Sequence, residues 1–366
     1  MKSKLINKIK TNKRLRSNLI TFGMVVFAYI LMEILMAAGV VSSLLKGLLV
    51  PLCIYAILAV SLNLTVGILG ELSLGHAGFM CVGAFSGAFF SKCMQDAISI
   101  AGVRFTLALL IGALCAGLFG FLIGIPVLRL KGDYLAIVTL AFGEIIKNII
   151  NILYVGIDEN GFHFSTKSSL ELNLSENGKI IIQGAQGITG TPNDSTFTIG
   201  ILLLLITLII VLNLINSRDG RAIMAIRDNT IAAESVGINI TKYKLMAFSI
   251  SAALAGVAGV LYAHNLSTLT ALPKNFGYNM SIMILVFVVL GGIGNIRGSV
   301  IAAVILTLLP ELLRGLNDYR MLIYAVVLIV MMLFNWAPAC IKWREKMTYK
   351  IKSRFSPKKI KDGKEA

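Results

Sequence analysis

Ten separate runs of about 20 apolar residues occur in this sequence, and they restrict the folds that it can adopt. A helix needs about 20 apolar residues to cross a hydrocarbon core of about 30 Å. Runs such as IGILLLLITLIIVLNLI, residues 199–215, lack the polar alternation of a transmembrane β-strand. We therefore predict an all-α, polytopic membrane protein. The predicted spans lie near residues 18–38, 44–66, 72–91, 101–128, 134–156, 197–216, 244–263, 279–296, 299–313 and 320–339.

The composition agrees with this fold class, because 57% of the residues are hydrophobic and only 14% are charged. A secretory signal peptide was the alternative for the start of the chain, where seven Lys and Arg residues among 1–17 precede an apolar run. That run is closer to 20 residues than to the 7–15 of a signal peptide, so we predict an uncleaved first span.

The positive charges are distributed unevenly between the two sides of the predicted membrane. If the N-terminus is cytoplasmic, 25 Lys and Arg residues fall inside and eight outside. The positive-inside rule therefore predicts an N-in, C-in protein with a basic N-terminus (1–17), a transmembrane domain (18–339) and a basic cytoplasmic tail (340–366). We expect the tail to contact anionic membrane lipids rather than nucleic acid, so the net charge of +16 does not indicate a nucleic-acid partner.

Two hydrophilic segments are much longer than the other turns. Residues 157–196 fall outside in this topology and contain five carboxylates, which predicts an acidic extracytoplasmic platform. Residues 217–243 fall inside and mix charged with small residues at helical spacing. Such long segments in a compact chain usually have a function.

Sequence motifs for catalysis and cofactor binding are absent. The chain has no G-x-x-x-x-G-K-[ST] phosphate loop and no H-E-x-x-H, G-x-S-x-G or C-x-x-C motif. Its five cysteines show no metal-type spacing, and His76, His163 and His264 are far apart in sequence. We therefore predict a non-catalytic protein with no cofactor and no metal site.

Small residues recur four apart inside the spans, as in Gly83/Gly87 and Ala252/Gly256. This spacing is typical of close helix packing, and it also suits helices that line a path of changing width. Residues 67–70, GILG, and residues 291–294, GGIG, form a short internal sequence similarity. Either an internal duplication or coincidence explains this similarity.

A polar stripe occupies one face of the fifth span, where Glu144, Lys147, Asn148 and Asn151 follow at i, i+3, i+4 and i+7. Ionised groups facing lipid are costly, so this face should turn toward protein or water, with Glu144 and Lys147 able to pair. A structural ion pair and a position beside the translocation path both explain the stripe. We take Glu144 and Asn148 as candidate path residues.

The octapeptide LSLGHAGF, residues 72–79, places a serine, a histidine and two glycines where the chain re-enters the membrane. Polar side chains can satisfy backbone groups at an irregular helix start, and glycines permit the turn. A purely structural role suffices to explain the motif. The functional alternative places Ser73, Gly75 and His76 at the mouth of a substrate path.

Four stretches of the sequence together resemble one known family. They are LNLTVGILGELSLGHAGFMCVGAF (62–85), GDYLAIVTLAFGEIIKNI (132–149), GAQGITGTP (184–192) and GRAIMAIRDNTIAAESVGINITKYKLMAFSISAALAGVAGVLYAH (220–264). They resemble the LivM-type permeases, which are membrane subunits of bacterial ABC importers for branched-chain amino acids. The similarity runs in order from about residue 50 to 336.

This resemblance implies a multi-pass protein of the bacterial plasma membrane that transports leucine, isoleucine and valine. It implies four kinds of protein and ligand partner: a second homologous permease, two ABC ATPase subunits, an extracytoplasmic solute-binding protein and the amino-acid substrate. It also implies that the cytoplasmic segment 217–243 couples the permease to the ATPase. The residues assigned to that coupling are Arg221, Arg227, Asp228, Ala232, Ala233, Glu234 and Gly237.

One residue departs from the family pattern. A glutamate usually precedes the two alanines of the coupling motif, whereas Ile231 stands there in this chain and Glu234 follows them. Two rival functions stay open: an ABC permease for a sugar, a nucleoside or urea, and an ion-coupled secondary transporter. A membrane enzyme is the weakest alternative, because no nucleophile and base occur together in a motif.

Overall fold

The computed structural model describes residues 13–130, 132–158, 161–175 and 178–336. The predicted basic tail, 340–366, and most of the basic N-terminus lie outside the described residues, as do Glu159 and Glu176. The chain divides into two compact units between Ile305 and Leu306. The second unit contains the end of one helix, a 3₁₀ turn at Leu313–Tyr319 and a last helix.

The described residues are mostly helical, as the apolar runs predicted. The helices are α1 Lys13–Ala37, α2 Ser43–Asn63 (continued by a π-helical turn, Leu64–Leu69), α3 His76–Cys93, α4 Ala101–Val127, α5 Asp133–Ile152, α6 Phe197–Asn216, α7 Arg218–Asp228, α8 Thr230–Ser235, α9 Ile240–Ala263, α10 Pro273–Phe276, α11 Tyr278–Gly291, α12 Ile296–Leu312 and α13 Arg320–Trp336.

Eight helical segments of the described chain are long and apolar enough to cross a membrane. The two other predicted spans correspond to α3, of 18 residues, and α13, of 17. Most residues of α3 are buried inside the first unit. A helix that is surrounded by protein does not need the continuous apolar surface of a lipid-facing helix.

Helices α3, α4 and α9 form the centre of the first unit, and their small residues lie at the contacts. A Cβ atom added to Gly83 of α3 would lie 2.3 Å from the Cα atom of Gly256 on α9. A Cβ atom added to Gly256 would lie 2.6 Å from the carbonyl oxygen of Gly112 on α4. The small residues therefore allow three backbones to approach closely, which is the packing role that their spacing predicted.

The turns of the first unit gather at two ends of the helices. At one end, which we call the α7 end, residues 67–71, 217–244 and 294–297 lie together. Arg227 donates there to the Gly67 carbonyl oxygen, and the Asn63 side chain accepts from the Gly294 amide. The other, which we call the sheet end, joins residues 92–104 to 154–196 through an ion pair between Arg104 and Asp194 at 3.2 Å. The predicted threading also puts the turns of each group on one side of the membrane; the number of spans and their orientation stay predictions.

The sheet end contains strands that the all-α prediction did not include. Strands β1 Tyr154–Asp158, β2 Gly161–Ser165 and β3 Lys179–Gln183 form an antiparallel sheet in the order β2-β1-β3. Strand β4 Ile188–Thr189 pairs with β5 Thr268–Leu269. The fifth span was predicted to reach residue 156, but α5 ends at Ile152 and β1 begins two residues later.

The predicted acidic platform at the sheet end is less acidic than its composition suggested. The Asp158 side chain is only 1% exposed and accepts from His163 at 3.0 Å. Asp194 is paired with Arg104. Lys179, at the start of β3, donates to Asp96 on the turn between α3 and α4 at 2.7 Å and holds the pKa of that carboxyl below its ordinary value. Asp158 and Asp194 therefore take part in contacts within the fold and do not present free charge at this end.

Candidate functional site

The candidate site begins at a turn, residues 67–75, that connects α2 to α3 at the α7 end. The π-helical end of α2 stops at Gly70, whose φ of +82° lies in the left-handed region that favours glycine. A Cβ atom added to Gly67 would lie 2.4 Å from the Gly294 amide nitrogen. The two glycine-rich turns with similar sequences, residues 67–70 and 291–294, are therefore in contact.

Asn63 holds these two turns together from a fully buried position. Its Oδ1 accepts from the Gly294 amide at 2.9 Å, and its Nδ2 donates to the Ser299 hydroxyl at 2.7 Å. A buried amide that makes both kinds of hydrogen bond fixes the relative position of the segments that it joins. The turn at 67–75 is thus fastened to the start of α12.

The three predicted path residues of this turn are enclosed by protein. Ser73 is 1% exposed and His76 is 2% exposed. The His76 Nε2 atom lies 2.7 Å from the Ser61 hydroxyl, which itself donates to the Leu58 carbonyl oxygen at 2.9 Å. A Cβ atom added to Gly75 would lie 2.3 Å from the Thr139 carbonyl oxygen. The glycine therefore allows the turn to lie directly against α5.

Further hydrogen bonds join the same turn to α5 and α11. The Leu74 amide donates to the Thr139 hydroxyl at 3.0 Å, and the Ala77 amide donates to the Ser281 hydroxyl at 3.1 Å. The Ser73 hydroxyl is buried without a hydrogen-bond partner among the described residues. It is therefore a polar group that a rearrangement or a ligand could satisfy.

The polar stripe of α5 divides into two parts. Lys147, whose side chain is 7% exposed, pairs with Glu144, as their spacing predicted. Glu144 also accepts from the Tyr278 amide at 2.7 Å, so its carboxylate caps the start of α11 and joins α5 to it. Asn148 is exposed on the outer surface of the described chain. Glu144 thus contacts the start of α11, whereas Asn148, one turn further along the same face of α5, is exposed.

The coupling segment, residues 217–243, folds as two short helices, α7 and α8, with defined caps. The Ser217 hydroxyl accepts from the Gly220 amide at 3.0 Å, and Asn229 Oδ1 accepts from the Ala232 amide at 3.0 Å. Gly237 ends α8 with φ +84°, where its amide donates to the Glu234 carbonyl oxygen and the Ile238 amide donates to the Ala233 carbonyl oxygen. This pair of bonds is a Schellman motif.

The two alanines of the coupling motif have different environments. Ala233 is 3% exposed and packs inside the chain, whereas Ala232 and Glu234 are exposed. The side chains of Ile231 and Val236 are 81% and 75% exposed. The exposed surface of α8 and of the turn after it therefore includes two aliphatic side chains larger than the alanines assigned to the coupling.

The charged residues of the segment lie at its junctions. Arg227 donates through Nε and Nη2 to Asp228 Oδ1, at 3.1 and 2.9 Å, and through Nη1 to the Gly67 carbonyl oxygen at 2.9 Å. Arg221 donates to the Asn216 carbonyl oxygen at the end of α6, at 3.3 Å. Arg227 thus connects α7 directly to the turn that begins α3.

Two further contacts strengthen this connection. Lys244, near the start of α9, forms a largely buried ion pair with Glu71 in the turn. Ile223 of α7 packs in a buried cluster with Ile68, Leu69 and Ala247. Movement of α7 must therefore displace the turn or break these contacts.

Sequence reasoning did not identify Asn63, Glu71, Thr139 or Lys244 as site residues. Asn63 and Glu71 carry a recognisable signal, since a primary amide and a carboxylate stand there among mostly apolar residues. Their partners could not be identified in this way, because Lys244 lies 173 residues after Glu71.

Comparison with known proteins gives several matches. The model of the family "Branched-chain amino acid transport system / permease component" matches residues 43–334. The high-affinity branched-chain amino acid transport system permease protein LivM of Salmonella typhimurium is 36% identical over 309 residues, 82% of this chain and 70% of that protein. The LivM protein of Escherichia coli is 36% identical over 294 residues, 78% and 67% of the two chains.

A second type of permease protein is related more distantly. The LivH protein of the same transport system in Salmonella typhimurium is 23% identical over 283 residues, 76% of this chain and 88% of that protein. No solved structure matches the chain.

Proposed function

The chain belongs to the family of branched-chain amino acid transport system permease components, and from this premise we propose that it forms half of the translocation path of an ATP-driven importer. Its substrates are leucine, isoleucine and valine. A permease component is a non-catalytic membrane subunit, so separate subunits hydrolyse ATP. The second half of the path is a homologous permease chain of the LivH type, since LivH, a permease protein of a branched-chain amino acid transport system, is itself related to this chain.

The connection between the coupling segment and the turn at 67–75 supports this mechanism most strongly. Arg227, Ile223 and the Lys244 ion pair attach α7 and the start of α9 to that turn. The turn leads into α3, the buried helix at the centre of the first unit. An ATPase that pulls on α7 and α8 therefore moves the helix that borders the path, and this movement changes the side to which the path opens.

The proposed partners bind at opposite ends. Two ABC ATPase subunits bind the α7 end in the cytosol, where Ile231, Ala232, Glu234 and Val236 are exposed. A solute-binding protein delivers the amino acid at the sheet end, outside the bacterial plasma membrane. We propose ten spans with both termini in the cytosol. Two observations support this topology: basic residues are in excess on the α7 side, and the contacts group the turns as the predicted threading does.

We assign the path to the interface of α3, α5 and the second permease. Ser73 and His76 are enclosed in this conformation, and Gly75 and Gly143 let the turn before α3 pack closely against α5. The exposed Asn148 of α5 would be costly in lipid, so it faces the second permease or the path. Opening of the path exposes the unpaired Ser73 hydroxyl to the substrate.

Docking of the ATPase can be tested with two matched variants. Ala232→Arg adds a large charged side chain to the exposed face of α8, and Ala97→Arg makes the same change on the exposed turn between α3 and α4 at the sheet end. We expect Ala232→Arg to abolish copurification of the ATPase and amino-acid uptake, while both variants insert in the membrane normally. Normal copurification with Ala232→Arg would refute the docking assignment.

The substrate requires a separate test. In a strain from which the gene is deleted, uptake of radiolabelled leucine, isoleucine and valine should be lost, and it should return with the intact gene. Unchanged uptake would remove the branched-chain assignment and leave the permease fold in place. Gradient-driven uptake by the purified chain alone in liposomes would instead favour a secondary transporter.

A further inference from the structure

An apolar cavity of about 710 Å³ lies in the first unit, between α3, α4, α5 and the strands of the sheet end. None of the described residues that line it is charged, and its only hydroxyl or thiol groups among them belong to Ser86, Cys93 and Cys115. The Ser86 hydroxyl donates to the Val82 carbonyl oxygen of its own helix at 2.7 Å, so it is already satisfied. The cavity therefore offers a ligand almost nothing except apolar contact.

This lining excludes the transported amino acid as the occupant. An amino acid bound here would bury its ammonium and carboxylate groups without partners, which costs several kcal/mol. The two enclosed residues of the proposed path, Ser73 and His76, are not among the residues that line the cavity. The cavity is therefore a separate feature of the first unit.

The length of the cavity matches one leaflet of a bilayer. Its lining on α3 runs from Val82 to Met94, at the end of the helix, which corresponds to about 18 Å at 1.5 Å per residue. One leaflet contributes about half of a hydrocarbon core that is about 30 Å thick. A helix of a partner chain is about 10 Å wide, so 18 Å of it needs roughly 1,400 Å³, about twice the space available.

The cavity opens beside a lipid-facing surface. Helix α4 is long and apolar enough to cross a membrane, so its exposed leucines face hydrocarbon. Each residue of α4 that lines the cavity directly follows one of these leucines: the leucines are Leu110, Leu114 and Leu118, and the lining residues are Ile111, Cys115 and Phe119. A lipid chain on the surface of α4 therefore lies at the edge of the cavity.

Two aromatic side chains of β2 form the upper wall. Phe162 and Phe164 line the cavity and are nevertheless exposed. The Phe162 ring lies 5.9 Å from the ring of Phe89 on α3, measured between centroids. Exposed phenylalanines at the level where a span ends are stabilised by contact with hydrocarbon. They indicate that the hydrocarbon reaches this edge of the sheet.

We propose that the cavity binds one acyl chain of a membrane phospholipid, taken from the leaflet at the sheet end. The chain lies between α3, α4 and α5, and its ester end lies beside Phe162 and Phe164. The head group stays outside, because the described lining provides no group that would bind it. The proposal requires only that the protein spans a membrane, so it goes beyond the transport function and does not depend on the solute.

The test uses the full chain in phosphatidylcholine vesicles, with a phosphatidylcholine that carries a diazirine near the end of one acyl chain. Irradiation links this chain to its neighbours, and mass spectrometry locates the adducts. We expect adducts on Phe85, which lines the cavity and is only 4% exposed, as well as on the lipid-facing Leu114. Adducts on Leu114 without adducts on Phe85 in the unmodified chain would overturn the proposal.

Two variants separate the cavity from the outer surface. Cys115→Trp narrows the cavity and should lower the adducts on Phe85 several-fold relative to those on Leu110, whereas Leu114→Trp makes a matched change one residue earlier and should leave that ratio unchanged. An equal ratio in both variants would overturn the proposal. Loss of the Phe85 adducts when the second permease is present in the vesicles would assign the cavity to that chain and would also overturn it.

Discussion

The ion pair between Lys244 and Glu71 allows the most detailed prediction, because it joins the start of α9, directly after the coupling segment, to the turn that leads into α3. The two side chains retain only 13% and 16% of their exposure. Glu71→Gln leaves the Lys244 ammonium in this partly dry position without a counter-charge. Removing one member of a buried pair costs 3–5 kcal/mol, so we expect a loss of about 2–4 kcal/mol for a pair with this residual exposure.

The effect can be measured by unfolding the purified chain reversibly in mixed detergent micelles. The matched control is Lys179→Gln, which breaks the pair with Asp96, where the side chains are 70% and 80% exposed. We expect no measurable change in that control. The double variant Glu71→Gln, Lys244→Met replaces both charges and should recover most of the stability, since no unpaired charge remains.

This reasoning also predicts a functional result. Glu71→Gln leaves the exposed face of α8 unchanged, so the ATPase should still copurify while transport per ATP hydrolysed falls. Two results would refute the account: equal destabilisation by Glu71→Gln and Lys179→Gln, or a double variant that is as unstable as the sum of its single variants.

Other substitutions give further expected outcomes. Gly237→Ala places a Cβ atom in open space but at φ +84°, so backbone strain alone should lower the free energy of unfolding by about 1–2 kcal/mol. Hydrogen exchange at the Ile238 amide should become faster, and an unchanged exchange rate would contradict the left-handed cap. Asn63→Leu removes the hydrogen bonds of the buried Ser299 hydroxyl and the partly buried Gly294 amide to Asn63 and should cost about 2–4 kcal/mol, while Asn148→Leu on an exposed surface should not destabilise the chain. Glu144→Gln should lower stability as Glu71→Gln does, and an unaffected unfolding midpoint would rule out the ion pair in α5.

The helices were predicted from the sequence because lipid imposes a simple requirement of length and polarity. The sixth predicted span, 197–216, coincides with α6, and the i, i+3 spacing of Glu144 and Lys147 predicted their contact. These features depend on neighbours within a few residues, which a sequence displays directly.

Features that depend on distant neighbours were not predicted. Tyr154 and Val155 continue the apolar pattern of α5, but they form a β-strand because they pair with β3, which begins 25 residues after Tyr154. The composition of residues 157–196 indicated an acidic surface, yet Asp158 is buried by contacts within that segment. Ala233 is likewise buried although its neighbour Ala232 is exposed. Side-chain burial of this kind follows from tertiary contacts and not from local periodicity.

The central claim is that the coupling segment lies in the cytosol, where it is bound by an ATPase. It can be tested most directly in a variant without its five cysteines, with one cysteine placed at Ala232, and a maleimide that does not cross membranes. We predict no labelling in intact cells, labelling in inside-out vesicles, and protection when the ATPase is bound. Labelling of the cysteine in intact cells would place the segment outside and contradict the topology, the docking and the proposed coupling together.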